Sequence, residues 1–255
     1  MDELTKIAAH AAETILNLAI KTDVRTKSDG SPVTAADEAA EAIICTGLQR
    51  LAPAVPIISE ERAGREKPKA IGRGSYFLVD PLDGTREFIA GRDEYTINIA
   101  LMTDGAPMLG IICAPAPTLG GFWRGIVGSG ADWFPVTRWT GGPTPIHTRP
   151  RSDSEAVIML SRSHLDSRTR AYVERFPQAK LVQCGSSVKF CRVAEGSADL
   201  YPRLAPTRDW DVAAGHAILK AAGGEVAAPD GSPLRYGTSD LLIPAFVAAG
   251  QAFTA

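Results

Sequence analysis

The chain has 255 residues, 45% of them apolar and 22% charged, with a formal net charge of −2. That length supports one large core or two modest domains. The near-neutral balance excludes a general polyanion-binding surface, so any phosphate chemistry must rest on a local site.

"MDELTKIAAHAAETILNLAI" carries acids early and lacks a basic segment before its apolar residues, which predicts an amphipathic helix over 2–21 and no signal peptide. "RTKSDGSPVT" is turn-rich, and Thr34 caps a second helix through about Leu51, with Ala35, Ala39, Ala42 and Ile43 on one side. "VPIISEE" is a short apolar run ending in two acids, and "EERAGREKPKAIGRG" is a polar, Gly-rich loop. "SYFLVD" reads as a strand and "DGTREFIAG" as a short helix. "YTINIALM" and "MLGIICAPA" read as two strands around a tight turn. After a Gly/Pro/Trp-rich middle, strands ("EAVIML", "AKLVQ", "ADLYPR") alternate with helices ("SHLDSRTRAYVERF", "SSVKFCRVAEG", "DVAAGHAILKAAGG"). The expected class is α/β, with an α+β N-terminal half over 1–147 and an α/β C-terminal half over 148–255, the boundary falling in "GPTPIHTRPRSD".

Cys45, Cys113, Cys184 and Cys191 form no CxxC pair, which predicts reduced, mostly buried thiols. No run approaches the length of a membrane span. The expectation is a cytoplasmic protein, monomer or homodimer, with peripheral membrane contact left open.

The informative acids are Glu60, Asp80, Asp83 and Asp211, with Asp37 and Thr85 as accessories. Oxygen-only donors without His or Cys select hard cations, usually Mg²⁺. Asp80 and Asp83 sit on a strand-to-helix corner, where the Leu82 carbonyl can join them. The N–H groups of Gly84 and Thr85 open the next helix as an anion site.

Each piece also has a plainer reading. A lone DxxD is most often a capped turn, Glu60–Glu61 a solvated pair, and Asp211 or Asp37 a first-turn acid. Four such acids together with Gly-Thr are hard to obtain by capping alone. Asp209 reads as exposed. The DxDGT of haloacid-dehalogenase phosphatases is a near competitor, but the spacing here is DxxDGT, with Pro81 and Leu82 between the acids, and the aspartyl-nucleophile geometry fails.

"ISEE", "VDPLDGTREF", "RDWDVAAGHAILKAAGG" and "SDGSPVTAADEAAE" resemble the signatures of the inositol-monophosphatase superfamily of Mg²⁺-dependent, lithium-sensitive phosphatases. "GSSVKFCRVAEGSADLYPR", with "SRSH" and "EYTINIAL", resembles its CysQ-type 3′(2′),5′-bisphosphate nucleotidases. The resemblance implies a layered αβαβα sandwich of the inositol-monophosphatase/fructose-bisphosphatase type, with the site between the halves. It implies metal ligation of two or three Mg²⁺ by Glu60, Asp80, the Leu82 carbonyl, Asp83 and Asp211. Asp37 and Thr85 would orient the attacking water, Gly84 and Thr85 would hold the phosphate, and displacement would be direct, without a phosphoenzyme. The lid after Glu61 and the "FWRGIVGSGADWFPVTRW" segment follow the family less closely.

The uncleaved phosphate and the base of a nucleotide need further contacts, for which Ser186, Ser187, Lys189, Arg203 and His164 are the candidates. The alternative for Lys189 and Arg203 is a solvated face, and for His164 a surface or capping role. The implied reaction is hydrolysis of adenosine 3′,5′-bisphosphate to AMP and phosphate, together with its 5′-phosphosulfate relative, in sulfate assimilation. The expected partner is thus a small molecule, with no nucleic-acid polymer. An inositol or fructose-bisphosphate phosphatase, and a non-catalytic nucleotide-binding regulator, stay open as alternatives.

Overall fold

Period-two apolar residues in the first half of the chain build a sheet that is buried on both faces. In the computed structural model, which describes residues 1–19, 24–27, 30–64, 74–136, 142–150 and 156–251, this half opens with α1 (Asp2–Leu18), β1 (Val24–Thr26), β2 (Pro32–Thr34) and α2 (Ala35–Leu51). Then come β3 (Ile57–Ser59), α3 (Glu60–Ala63), β4 (Ser75–Asp83), α4 (Thr85–Ile89), β5 (Thr96–Thr103), β6 (Ala106–Ala114), β7 (Gly121–Ile126), β8 (Gly130–Pro135) and β9 (Thr144–Ile146). Strands β3 to β9 form one sheet in chain order, antiparallel except for the β3–β4 pair.

The second half contains β10 (Val157–Ser161), α5 (Ser167–Val173), β11 (Lys180–Cys184), α6 (Val188–Ala194), β12 (Leu200–Arg203) and β13 (Thr207–Arg208). It ends with α7 (Asp209–Ala221), β14 (Glu225–Ala227), β15 (Leu242–Ile243) and β16 (Phe246–Ala249). Its five-stranded sheet has the order β11-β10-β12-β16-β14 and mixes parallel with antiparallel pairs.

Alternation along the strands sorts the side chains into separate cores. Phe77, Val79, Ile97, Ile99 and Ile111 pack with Ala8, Ile15, Ile44 and Leu48 of α1 and α2. The opposite face, with Tyr76, Leu78, Met102 and Ile112, packs with Phe190 of α6, Ile218 of α7, and Tyr201 and Phe246 of the second sheet. Val173 of α5 closes the far side against Ile158, Leu160 and Leu200. The layers therefore run helix, sheet, helix, sheet, helix, as expected. Helix α7 lies so close to β6 that a Cβ at Gly110 would overlap the Ala214 carbonyl oxygen.

Three expectations shift. The buried face of α2 is Ala36, Asp37, Ala40, Glu41, Ile44, Cys45 and Leu48, one residue along from the alanines chosen from sequence, and its two acids are buried because Thr34 and Thr85 hold Asp37 and Ser59 and the Arg62 N–H hold Glu41. The Gly/Pro/Trp-rich middle continues the meander as β7, β8 and β9. The α5 helix starts only at Ser167, where Asp166 accepts from the N–H groups of Arg168 (2.8 Å) and Thr169 (3.1 Å). The end of the first predicted helix, most of the polar loop (65–73), the last residues of "FWRGIVGSGADWFPVTRW", residues 28–29 and part of the domain boundary (151–155) lie outside the described residues.

Candidate active site

A one-residue irregularity brings the first two acids together. On β4, Asp80 pairs with Asn98 and Asp83 with Thr96, so Pro81 and Leu82 stand opposite the single residue Ile97. Positions three apart in a regular strand face opposite ways, but Thr96 and Asn98 are two apart and share a face, so the bulge returns both aspartates to one side. Pro81, which has no N–H for the ladder, is tolerated at such a bulge. The Leu82 N–H donates to Asp80 Oδ1 (3.0 Å), while the Leu82 side chain turns back into the α1–α2 core.

Two further elements deliver their acids to this point. Glu60 opens α3, whose start is braced by the buried Glu41 of α2, the acceptor for Ser59 Oγ and for the Arg62 N–H (3.2 Å). Asp211 is the third residue of α7, and its Oδ2 accepts from Thr207 Oγ1 and the Arg208 N–H (3.1 Å). Carboxylate oxygens of Glu60, Asp80 and Asp211 all lie within 4.8 Å of one another. Burial, then the charges of Glu60, Asp83 and Asp211, push the Asp80 carboxyl well above its usual range. Burial and the Asp211 charge push Asp83 up to about 7, against the pull of Lys189 and Arg203. Burial also raises Glu60. Such mutual repulsion, on donors that are all oxygen, is what a hard divalent cation relieves. Lys27 relieves part of it, placing Nζ 2.6 Å from both Glu60 Oε1 and Glu61 Oε1.

Asp37, buried in the first turn of α2, accepts through Oδ2 from the Thr34 N–H (2.8 Å) and Thr34 Oγ1 (2.6 Å), and through Oδ1 from Thr85 Oγ1 (3.1 Å). Burial raises its pKa, against the lowering effect of these hydrogen bonds. Thr85 Oγ1 also lies 3.1 Å from the Leu82 carbonyl oxygen. Gly84, with φ of 93°, turns the chain from β4 into α4. The left-handed conformation suits glycine, and a Cβ there would stand 2.8 Å from the Glu94 carbonyl oxygen.

The acids line a cavity of about 790 Å³ that is also lined by Ser186, Ser187, Lys189, Arg203 and His164. Lys189 is only 2% exposed, which overturns a solvated face. Its ammonium donates to the carbonyls of Cys184 (3.1 Å) and Ser186 and lies 5.0 Å from the Tyr201 ring centre. Arg203 has a buried Nε with no hydrogen-bond partner among the described residues. His164 is at the exposed rim, its pKa lowered by desolvation and by Arg203 and Arg86. The Ser187 hydroxyl is spent elsewhere, donating to Asn98 Oδ1 (2.6 Å) and lying 2.8 Å from Thr96 Oγ1, so it is not the free donor expected from sequence.

The profile described as the inositol monophosphatase family matches residues 1–254. The chain belongs to the inositol monophosphatase family. Among its relatives, the 3′(2′),5′-bisphosphate nucleotidase CysQ of Escherichia coli (strain K12) is 41% identical over 240 residues, 92% of this chain and 93% of that protein. A solved CysQ from Bacteroides thetaiotaomicron is 34% identical with a TM-score of 0.80, covering 98% of this chain and 96% of that one. An inositol monophosphatase from Anabaena is 25% identical with a TM-score of 0.75, covering 98% and 89%.

Every site residue expected from the family's motifs borders this cavity or, like Asp37, is hydrogen-bonded to a residue that does. Asp209 is the outright correction. It is fully buried, not exposed: its Oδ2 accepts from the Gly237 N–H (2.7 Å), Oδ1 has no partner among the described residues, and burial pushes its carboxyl up to about 6. Thr34, expected as a cap, also holds Asp37, as an acid three residues after a capping threonine suggests. Lys27 lies 33 residues from Glu60, and no local pattern marks it. Among the described residues, no helix is long and apolar enough to cross a membrane.

Proposed function

We propose that this member of the inositol monophosphatase family is a Mg²⁺-dependent phosphomonoesterase that removes the 3′-phosphate of adenosine 3′,5′-bisphosphate, leaving AMP and phosphate, and that it acts likewise on the 5′-phosphosulfate relative. The supporting observation is one cavity lined both by the clustered carboxylates and by Lys189, Arg203 and Ser186. A bisphosphorylated nucleotide has one phosphate for the acids and their metal and one for the cationic groups, and relatives at about 40% identity carry the nucleotidase name. We place the reaction in the cytoplasm, recycling the nucleotide released by sulfate assimilation.

Glu60, Asp80, Asp83, Asp211 and the Leu82 carbonyl would hold two or three Mg²⁺ ions, in competition with Li⁺. When bound, the metal supplies a water of lowered pKa and neutralises charge on the leaving oxygen. The protein's own contribution starts at Asp37, whose carboxylate is fixed by Thr34 so that Oδ1 accepts the Thr85 hydroxyl proton. That hydroxyl has one proton and two acceptors at 3.1 Å. The charged Asp37 carboxylate would be the stronger acceptor, above all with the Leu82 carbonyl serving as a metal ligand. Thr85 then presents a lone pair to a hydrogen of the attacking water and orients it. The water oxygen forms the new P–O bond as the P–O3′ bond breaks; the bond pair goes to O3′, which takes up the equivalent of the proton the water gives up, so AMP leaves as the 3′-alcohol. Gly84 and Thr85 amides face the phosphate, and no side chain becomes phosphorylated.

Phosphate release from adenosine 3′,5′-bisphosphate, inositol 1-phosphate and fructose 1,6-bisphosphate, with and without Mg²⁺, tests this. The nucleotide should have the highest kcat/KM and need the metal. Preference for either sugar phosphate would overturn the substrate, and binding without turnover would make the chain a regulator.

A further inference from the structure

Ser186 has a φ of 47°, a left-handed conformation that a residue with a Cβ keeps only where its neighbours over-determine it. Those neighbours come from both halves. Lys189 ties the Cys184 and Ser186 carbonyls from within the second half. Thr96 and Asn98, on the β5 face opposite the β4 bulge, hold the Ser187 hydroxyl. The remaining tie is Glu94, in the connection between α4 and β5, whose Oε2 accepts from the Gly185 N–H (2.7 Å). Arg162, just after β10, grips the same carboxylate with two parallel bonds of 2.6 Å and donates to the Gln183 carbonyl (3.0 Å).

One carboxylate of the first half thus gathers the ends of two strands of the second. It does so at one of the close approaches between the halves. A Cβ on Gly185 would stand 2.7 Å from the Glu94 carbonyl oxygen, and one on Gly84 would stand 3.4 Å from Ser186 Cβ. The Glu94–Arg162 pair is partly exposed, with side chains 19% and 31% accessible. Partly exposed pairs contribute little to folding, whereas bidentate geometry fixes position and orientation. Although desolvation acts the other way, Arg162 and the Gly185 N–H hold the Glu94 carboxyl below its usual range.

We propose that Glu94 is a positioning residue for substrate selectivity: with Arg162 it holds turn 184–187 so that Ser186, and Lys189 tied to it, meet the second phosphate of a substrate anchored at the acids. This rests on the nucleotidase reading above. A substrate with a second phosphate needs the turn in place to receive it. A small ester with one phosphate, bound at the acids, does not.

The test is steady-state kinetics of wild type, Glu94→Gln and Arg162→Gln at saturating Mg²⁺, with adenosine 3′,5′-bisphosphate and with p-nitrophenyl phosphate, alongside thermal melting. Both variants should raise KM for the nucleotide about tenfold or more with kcat within about threefold, while kcat/KM for the small ester stays within about threefold. Parallel losses on both esters, or an unchanged nucleotide KM, would overturn the positioning role while leaving the nucleotidase reading in place. No nucleotide turnover by wild type would overturn that reading and the positioning role with it. Should Glu94→Gln fail to fold, Arg162→Gln breaks the same clamp from its more exposed side and decides the matter alone.

Discussion

Thr85 Oγ1 lies 3.1 Å from Asp37 Oδ1, a hydrogen bond that joins the first turn of α4 to the first turn of α2 across 48 residues of sequence. Neither residue belongs to the clustered carboxylates, so in the proposed mechanism the pair would orient water rather than hold metal. Thr85→Ala should lower kcat about 100-fold or more with little change in KM, and Thr85→Ser should recover most of it. The Mg²⁺-induced rise in melting temperature should persist in both. Loss of that rise in Thr85→Ala would mean the hydroxyl serves the metal instead.

The clustered acids predict a pH dependence of stability. In the metal-free protein Glu61 and Asp83 are each raised to about 7, chiefly by burial, from ordinary carboxylate values of 4.5 and 3.8. Between those limits the folded chain binds more protons than the unfolded one, so stability falls as pH rises through the window. Melting in EDTA should therefore be higher at about pH 5 than at about pH 8, and the Mg²⁺-induced gain should grow over the same range as the carboxylates ionise. A flat or rising profile in EDTA would contradict the repulsion.

Lys27 provides an independent probe of that repulsion. Its ammonium is 2.6 Å from both Glu60 and Glu61, and Lys27→Met leaves the two carboxylates without it. The metal-free variant should lose about 2 kcal/mol of stability near pH 8, below the cost for fully buried pairs because Glu60 is partly exposed. Urea unfolding in EDTA measures this, and the loss should shrink near pH 5, where the acids hold protons.

Gly110→Ala tests the seating of α7. The added Cβ would overlap the Ala214 carbonyl, so the helix that carries Asp211 must shift away from β6. A loss of about 2 kcal/mol with a weakened response to Mg²⁺ is expected in thermal and urea melts.

Much of this site was legible in the sequence, for local reasons. "DPLDGT" follows an apolar strand, and acids there are too costly to be idle. What escaped was set by contacts between distant residues. The buried face of α2 was misjudged because alanines lie on both sides of that helix, while its true face carries Asp37 and Glu41, which look solvent-facing until their partners Thr34 and Ser59 are in place. Asp209 was misread for the same reason, since a charged side chain next to a tryptophan gives no sign of the Gly237 N–H that receives it 28 residues later. Glycine and proline concealed β7 and β8, yet Gly121 and Gly125 are small because Trp133 and α7 crowd them.

The most direct measurement is the identity of the products. Adenosine 3′,5′-bisphosphate incubated with the protein and Mg²⁺, and resolved by chromatography against both nucleoside monophosphates, should give 5′-AMP and inorganic phosphate in equal amounts, with neither formed in EDTA. Accumulation of 3′-AMP, or product formation that ignores the chelator, would contradict a 3′-phosphatase built on these acids.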